Sequence, residues 1–243
     1  MGSSTLEPFI RKLEIGAELS AEDRQKLSQL TFQTKAIGSH EDVIKEGDRP
    51  DHVHLVLSGF ACRYKVLPGG DRQILAWLVP GDMCDLHISI LGEMDHTIGT
   101  LSPCQMAFIP RDIIEELTLA GGTICRALWW ATLVDEAILR EWLVGLGRRT
   151  ADRRMAHLFC ELNLRLLSVG AATRDSFDLP ATQDELGDTL GLSTVHVNRT
   201  LQHLREDKFL TLTSKRLTIL DRLRLEEFAE FDPNYLHLDK RPH

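Results

Sequence analysis

The chain has 243 residues, 43% of them hydrophobic and 26% charged, with a formal net charge of −8. That length suits two domains, and the composition excludes a disordered or fibrous chain. No apolar run approaches the roughly 18 residues that span a bilayer, and the opening MGSSTLEPFIRKLEIGAEL lacks a continuous apolar signal core, so a cytoplasmic protein with no membrane partner is expected.

The charge is divided unevenly. Residues 1–145 hold 13 Lys+Arg against 21 Asp+Glu (−8), residues 146–220 hold 11 against 9 (+2), and residues 221–243 hold 4 against 6 (−2). An acidic half followed by a mildly basic segment fits a regulatory region joined to one that reads nucleic acid. Cys62, Cys84, Cys104, Cys125 and Cys160 are odd in number and form no CxxC pair, which argues for reduced thiols over a disulfide framework.

Residues 6–30 carry Leu6, Phe9, Leu13, Leu19, Leu27 and Leu30, with Ser20 before Ala-Glu-Asp as a helix start; a short helical lead-in is expected. From about residue 34 to 110 the pattern changes. Short apolar or alternating runs at Val53–Leu57, Phe60–Val66, Ile74–Leu78 and Met106–Ile109 are separated by turns such as Pro68-Gly69-Gly70-Asp71 and Pro80-Gly81-Asp82. Many short strands with Gly/Pro turns predict an antiparallel sandwich or barrel.

Residues 111–145 turn helical. Ile124, Leu128, Ala131, Asp135, Ile138 and Trp142 follow a 4-3-4-3-4 spacing, broadened by Ala127, Leu133, Val134 and Ala137. An apolar arc this wide asks for burial on two sides, one against the β-domain and one against a second copy of the chain. Those six residues are the expected dimer interface, on a helix of about 123–144. A wholly intramolecular core helix is the alternative. Gly145-Leu146-Gly147 is the expected hinge, since each glycine costs a helix about 1 kcal/mol. A further helix from Asp152 turns Met155, Leu158, Phe159, Leu162 and Leu166 inward, and a loop over Ser168–Pro180 follows.

Thr182 with Glu185 three residues on makes a capping box, Leu186 and Leu190 share one helix face, and Gly191 supplies a turn. Ser193 then caps a second helix in which Val197, Leu201 and Leu204 form one buried stripe. At about 100° per residue the other side carries Val195, His196, Arg199, Gln202 and His203. Two apolar, Thr-containing runs, Phe209–Leu212 and Leu217–Leu220, flank the turn Thr213-Ser214-Lys215-Arg216 and predict a hairpin. The whole segment reads as a winged helix-turn-helix whose second helix enters a major groove of double-stranded DNA.

This order of parts resembles the Crp/Fnr superfamily of bacterial transcription regulators, over nearly the whole chain and most specifically in EGDRPDHVHLVLSGFACRYKV, LVPGDMCDLH and TQDELGDTLGLSTVHVNRTLQHLRE. The resemblance implies an α+β protein. An N-terminal antiparallel β-roll of the cyclic-nucleotide-binding type, within residues 1–147, carries a long dimerisation helix, and a winged helix-turn-helix domain occupies 148–243. It further implies a homodimer on a pseudo-palindromic promoter site, with RNA polymerase as a partner.

Departures from the family pattern qualify that. Cyclic-AMP-responsive members hold the cyclic phosphate on an arginine; here Gly81-Asp82 stands at the first position, and no arginine occurs between Arg72 and Arg111. A phosphodiester there would face Asp82, Asp85, Glu93 and Asp95 without a bidentate donor, so cyclic AMP is not the expected effector. The absence of any cysteine before Cys62 removes the iron–sulfur design of oxygen-sensing members. Gly81, Asp82, Cys84, His87, His96 and Thr97 are the candidate effector pocket, with no cofactor predicted. A haem- or redox-responsive regulator using Cys84 and His87, with His52 and His54 in the same domain, is one alternative. Another is a ligand-binding module acting through protein contacts. An enzyme is not expected, because no nucleophile–base spacing or phosphate loop stands out.

The family's second helix reads bases through Glu-x-x-Ser/Gly-Arg. Here Val195 stands at the Glu, Asn198 at the small residue and Arg199 at the Arg. Arg199 suits guanine O6 and N7, Asn198 an adenine, and Val195 a thymine methyl. Thr182, Ser193 and Thr194 near helix starts suit phosphates. His196, Gln202 and His203 complete the DNA-facing set, with Lys215 and Arg216 on the wing touching the backbone.

Overall fold

A computed structural model of the protein describes residues 6–238. The chain gathers into two compact units, one taking in the chain up to Lys65 and Leu75–Glu136, the other Val66–Ile74 and Ala137–Leu236. The expected division near residue 147 therefore falls inside the second unit.

The first unit opens with α1 (Glu7–Gly16) and α2 (Ala21–Ser28). α2 starts on a capping box: Ser20 Oγ accepts from the Asp23 N–H at 3.1 Å, and Asp23 Oδ2 accepts from the Ser20 N–H at 2.9 Å. The strands β1 (Gln33–Ile37), β2 (Asp42–Ile44), β3 (His52–Ser58), β4 (Ala61–Val66), β5 (Arg72–Leu78), β6 (Thr97–Thr100) and β7 (Cys104–Pro110) follow, with a short helix α3 (Ile88–Leu91) between β5 and β6. They form two antiparallel sheets, ordered β1-β7-β3 and β2-β6-β4-β5. The four apolar runs seen in the sequence became β3, β4, β5 and β7. Val53, Leu55, Val56, Leu78, Ile98, Met106 and Ile109 make the core between the sheets, closed by Phe9, Ile10 and Leu13 of α1 and by Ile114 and Leu117 of α4 (Arg111–Leu119). Gly81 has a φ of +92°, and a Cβ there would sit 2.7 Å from the Pro8 carbonyl oxygen, so α1 can lie on this turn only because the residue is glycine.

α5 (Gly122–Arg148) passes from the first unit into the second without a break. The expected hinge at Gly145-Leu146-Gly147 is helical; the Arg149 N–H still reaches the Gly145 carbonyl at 3.2 Å, and the chain turns only at Thr150. The residues of the expected dimer seam are largely engaged within the chain itself. Ile124, Leu128 and Ile138 are buried within a single chain, Ala131 packs against the first unit's core, Asp135 is ion-paired with Arg63, and the Trp142 Nε1–H is taken by Glu161 at 3.0 Å. That stripe has spent its apolar surface inside the protomer. A second row at 4-3-4-3 spacing, Trp129, Leu133, Glu136, Arg140 and Leu143, is the outward one, with Trp129 56% and Leu143 71% exposed.

In the second unit α6 (Ala151–Ser168) buries Met155, Leu158, Phe159, Leu162 and Leu166 as its spacing predicts. It also buries Glu161, which accepts from Trp142 Nε1–H at 3.0 Å, Tyr235 O–H at 2.9 Å and Arg165 at 3.0 Å. A buried carboxylate persists only with such partners. Next come β8 (Ser176–Asp178), α7 (Gln183–Leu190), α8 (Thr194–Glu206), β9 (Leu210–Thr213), β10 (Arg216–Ile219), α9 (Arg222–Phe228) and a 3-10 turn at Pro233–Leu236. The expected wing hairpin is β9–β10. It gains a third strand, because β8, lying in what the sequence suggested was loop, pairs with β10 and buries Phe177.

Candidate nucleic-acid interface

α7 begins on the Thr182 capping box, with the Glu185 N–H reaching Thr182 Oγ1 at 3.1 Å and the Thr182 N–H reaching Glu185 Oε2 at 2.8 Å. It ends at Gly191, whose φ of +62° lets the chain reverse. The Leu192 N–H bonds back to the Gly187 carbonyl at 3.0 Å, and a Cβ on Gly187 would lie 2.5 Å from the Leu192 oxygen. These contacts fix the sharp turn between the helices. Ser193 then starts α8, its Oγ accepting from the His196 N–H at 3.3 Å.

On α8, Val197, Thr200, Leu201 and Leu204 are buried, which aims the opposite face outward. Val195 is 81% exposed, and Asn198, Arg199 and Gln202 are also exposed. Arg199 has no ion pair or hydrogen bond among the described residues, so its five donors are available to a base edge. Gln202 leans along the helix to Glu206 at 2.8 Å. Arg205, which the sequence reading passed over, joins Asn198, Gln202 and Gln183 around a depression that reaches Leu212 of the wing. Its 4-3 spacing from Asn198 and Gln202 was the available signal.

Several expected contacts point elsewhere. His203 Nδ1 lies 3.9 Å from Asp152 of α6, at the flank of the exposed face, and His196 is only partly exposed. Thr194 donates its hydroxyl to Asp184. Arg216 is tied at the base of the wing, to Asp178 at 2.9 Å and Ser176 Oγ at 2.8 Å, so it holds β8 to β10 instead of projecting. Lys215 is the projecting wing cation. It and Ser214 occupy the two-residue turn with φ of +64° and +51°, left-handed values that a type I′ hairpin turn requires. Thr182, Ser193 and Lys215 all remain exposed.

The expected effector residues do not form one pocket. Asp82 is buried, accepting from the Lys12 ammonium at 2.5 Å and the Val79 N–H at 2.8 Å, while Gly81 lies under α1. The Cys84 thiol is fully buried, and that burial, with Asp85 beside it, raises its pKa well above the usual thiol range, which disfavours the thiolate a metal or haem needs. Thr97 Oγ1 accepts from the Glu46 N–H at 3.1 Å. His87 and His96 do meet, with ring centroids 5.4 Å apart. His54 belongs to a separate buried pair, its Nδ1 2.6 Å from Asp85 Oδ2.

Two family models match the chain: a cyclic nucleotide-binding domain over residues 34–120 and a Crp-like helix-turn-helix domain over residues 153–228. The nitrogen fixation regulation protein FixK of Bradyrhizobium diazoefficiens is 29% identical over 222 residues, covering 90% of this chain and 91% of that protein. The transcriptional activator protein FnrL of Cereibacter sphaeroides is 29% identical over 231 residues, covering 92% and 90%. Among solved structures, FixK2 from Bradyrhizobium japonicum shares the fold with a TM-score of 0.74 at 24% identity, over 82% of this chain and 98% of that one.

Proposed function

This chain belongs to the Crp/Fnr superfamily and is a DNA-binding transcription regulator, and from that premise we propose that it works as a homodimer on a pseudo-palindromic duplex site. The observation that supports the reading most is the outward half of α8, where Val195, Asn198 and Arg199 stand clear of the protein above a fully buried stripe. Arg199 donates a bidentate pair to a guanine, Val195 meets a thymine methyl, and Lys215 and the hydroxyls at Thr182 and Ser193 hold phosphates. Because Val195 accepts nothing from cytosine N4, the half-site differs from that of relatives with a glutamate there.

The dimer forms through Trp129, Leu133 and Leu143, an exposed apolar row on α5 that a monomer would leave in water. Half-sites then lie about 10 bp apart, one helical turn. Cyclic AMP is not the effector, since the buried guanidinium of Arg63 is already held by Asp135 and by the Met83 and Cys84 carbonyls. No single helix among the described residues is long and apolar enough to cross a membrane; the protein acts in the cytoplasm, with RNA polymerase as its further partner. In-vitro selection of bound duplexes tests the reading: a paired, inverted repeat bound with steep salt dependence is expected. An unpaired site ends the dimer claim, and weak, salt-insensitive association ends the DNA claim in favour of protein contact.

A further inference from the structure

The loop after β5 and the loop before β6 bring His87, Asp95 and His96 together in the first unit, one ligand atom from each lying within 4.8 Å of the others. Asp95 Oδ1 accepts from His96 Nδ1 at 2.6 Å. A neutral imidazole carrying its proton on Nδ1 has its lone pair on Nε2. His96 is buried, and its Nε2 has no hydrogen-bond partner among the described residues; the same holds for Nε2 of the half-buried His87. An unmatched buried acceptor forfeits the hydrogen bond it had in water, and two in one place point to a missing ligand.

We propose that His87 and His96 hold a divalent first-row transition ion, Zn²⁺ by preference, through their Nε2 atoms. Asp95 is the carboxylate that fixes the His96 tautomer and adds negative charge. Imidazole nitrogens suit Zn²⁺ at about 2.0–2.1 Å, and a carboxylate on the other ring nitrogen is the usual support for a metal-bound histidine. Arg63 itself does not bar a cation, because its charge is matched by Asp135, leaving Asp95 and the neighbouring Asp85 to make the surroundings anionic. Water fills the remaining positions, so the ion exchanges with solvent. Cys84 is not part of the group, and the site is therefore distinct from the Cys84/His87 ligand pair that the sequence suggests.

The proposal concerns binding alone and stands apart from the DNA reading. Untagged full-length protein, stripped with chelator and dialysed, is titrated with Co²⁺ by visible spectroscopy and with Zn²⁺ by calorimetry. One Co²⁺ per chain, displaced by Zn²⁺, is expected. His87→Asn and His96→Asn should each abolish it, and Asp95→Asn should weaken it 10–100-fold. His87 and Asp95 are not fully buried, so at least these two variants should keep the wild-type circular dichroism spectrum. No Co²⁺ uptake by the wild type overturns the proposal, and so does uptake unchanged in His87→Asn, which would place the ion elsewhere. DNA binding by the same samples, measured in parallel, separates failure of the metal site from failure of the regulator reading.

Discussion

In the winged-helix unit the side chains offered to a partner come from two helix starts, the outer face of α8 and one two-residue turn, and the buried carboxylate Glu161 has a full set of partners. In the β-roll the buried imidazole His96 is left with an open nitrogen, and it lies beside a second histidine, His87, in the same state. A buried polar group with a full set of partners is a structural member, because removing one leaves a charge stranded in a low dielectric. A buried polar group lacking a partner contributes no such bond to the fold, and where two imidazoles meet in that state, as His87 and His96 do, a ligand can supply it.

That contrast can be broken at its strongest point first. Glu161→Ala strands Arg165 and the Trp142 and Tyr235 donors, and should cost about 3–5 kcal/mol in urea denaturation; a loss under 1 kcal/mol would show the cluster is not a structural member. Next is acidification. Burial and the Arg149 charge hold the His157 pKa down to about 3, against Phe231 and Tyr235. A folded pKa below the unfolded one means the unfolded chain binds the extra proton, so this stability is present above pH ~6.5 and is lost as pH falls toward 3. Between pH 6.5 and 5 the loss is about 2 kcal/mol, and His157→Phe should flatten that limb; an unchanged acid limb in the variant would refute it.

Arg199→Ala should weaken DNA binding by about 1–3 kcal/mol and relax one base position, whereas Lys215→Ala should weaken all sequences alike and lower the salt slope by about 1. Competition titrations against single-base variants of the selected site distinguish the two. The smallest effect sharpens the comparison from the other side. His87→Asn, which has no Nε2 hydrogen bond to lose, should change folding stability by under about 1 kcal/mol. A larger loss would make His87 a structural residue like Glu161.

The winged helix was readable from the chain because its signals are local. Thr182/Glu185, Gly191 and Ser193 act within four residues of themselves, and Val197, Leu201 and Leu204 betray the buried face by spacing alone. The β-roll was legible only where a strand is apolar. β1 is almost wholly exposed, β2 has three residues and β6 contains a glycine, so none shows an alternation to find. β8 escaped for the same reason, with one apolar residue in three.

Sequence periodicity established that α5 has two apolar faces but not which one the protomer keeps. Ile124, Leu128 and Ile138 against Trp129, Leu133 and Leu143 is decided by what the sheets and α6 present to the helix. Likewise, the residues of α8 were ordered by local caps and spacing, whereas Arg216 was claimed by Asp178, 38 positions away. His87 and His96, nine positions apart on either side of α3, became neighbours only once the segment between β5 and β6 had folded back on itself. Short-range hydrogen bonds and helical spacing are written in adjacent residues; burial, ion pairing and ligand geometry depend on distances that exist only once the chain has closed on itself.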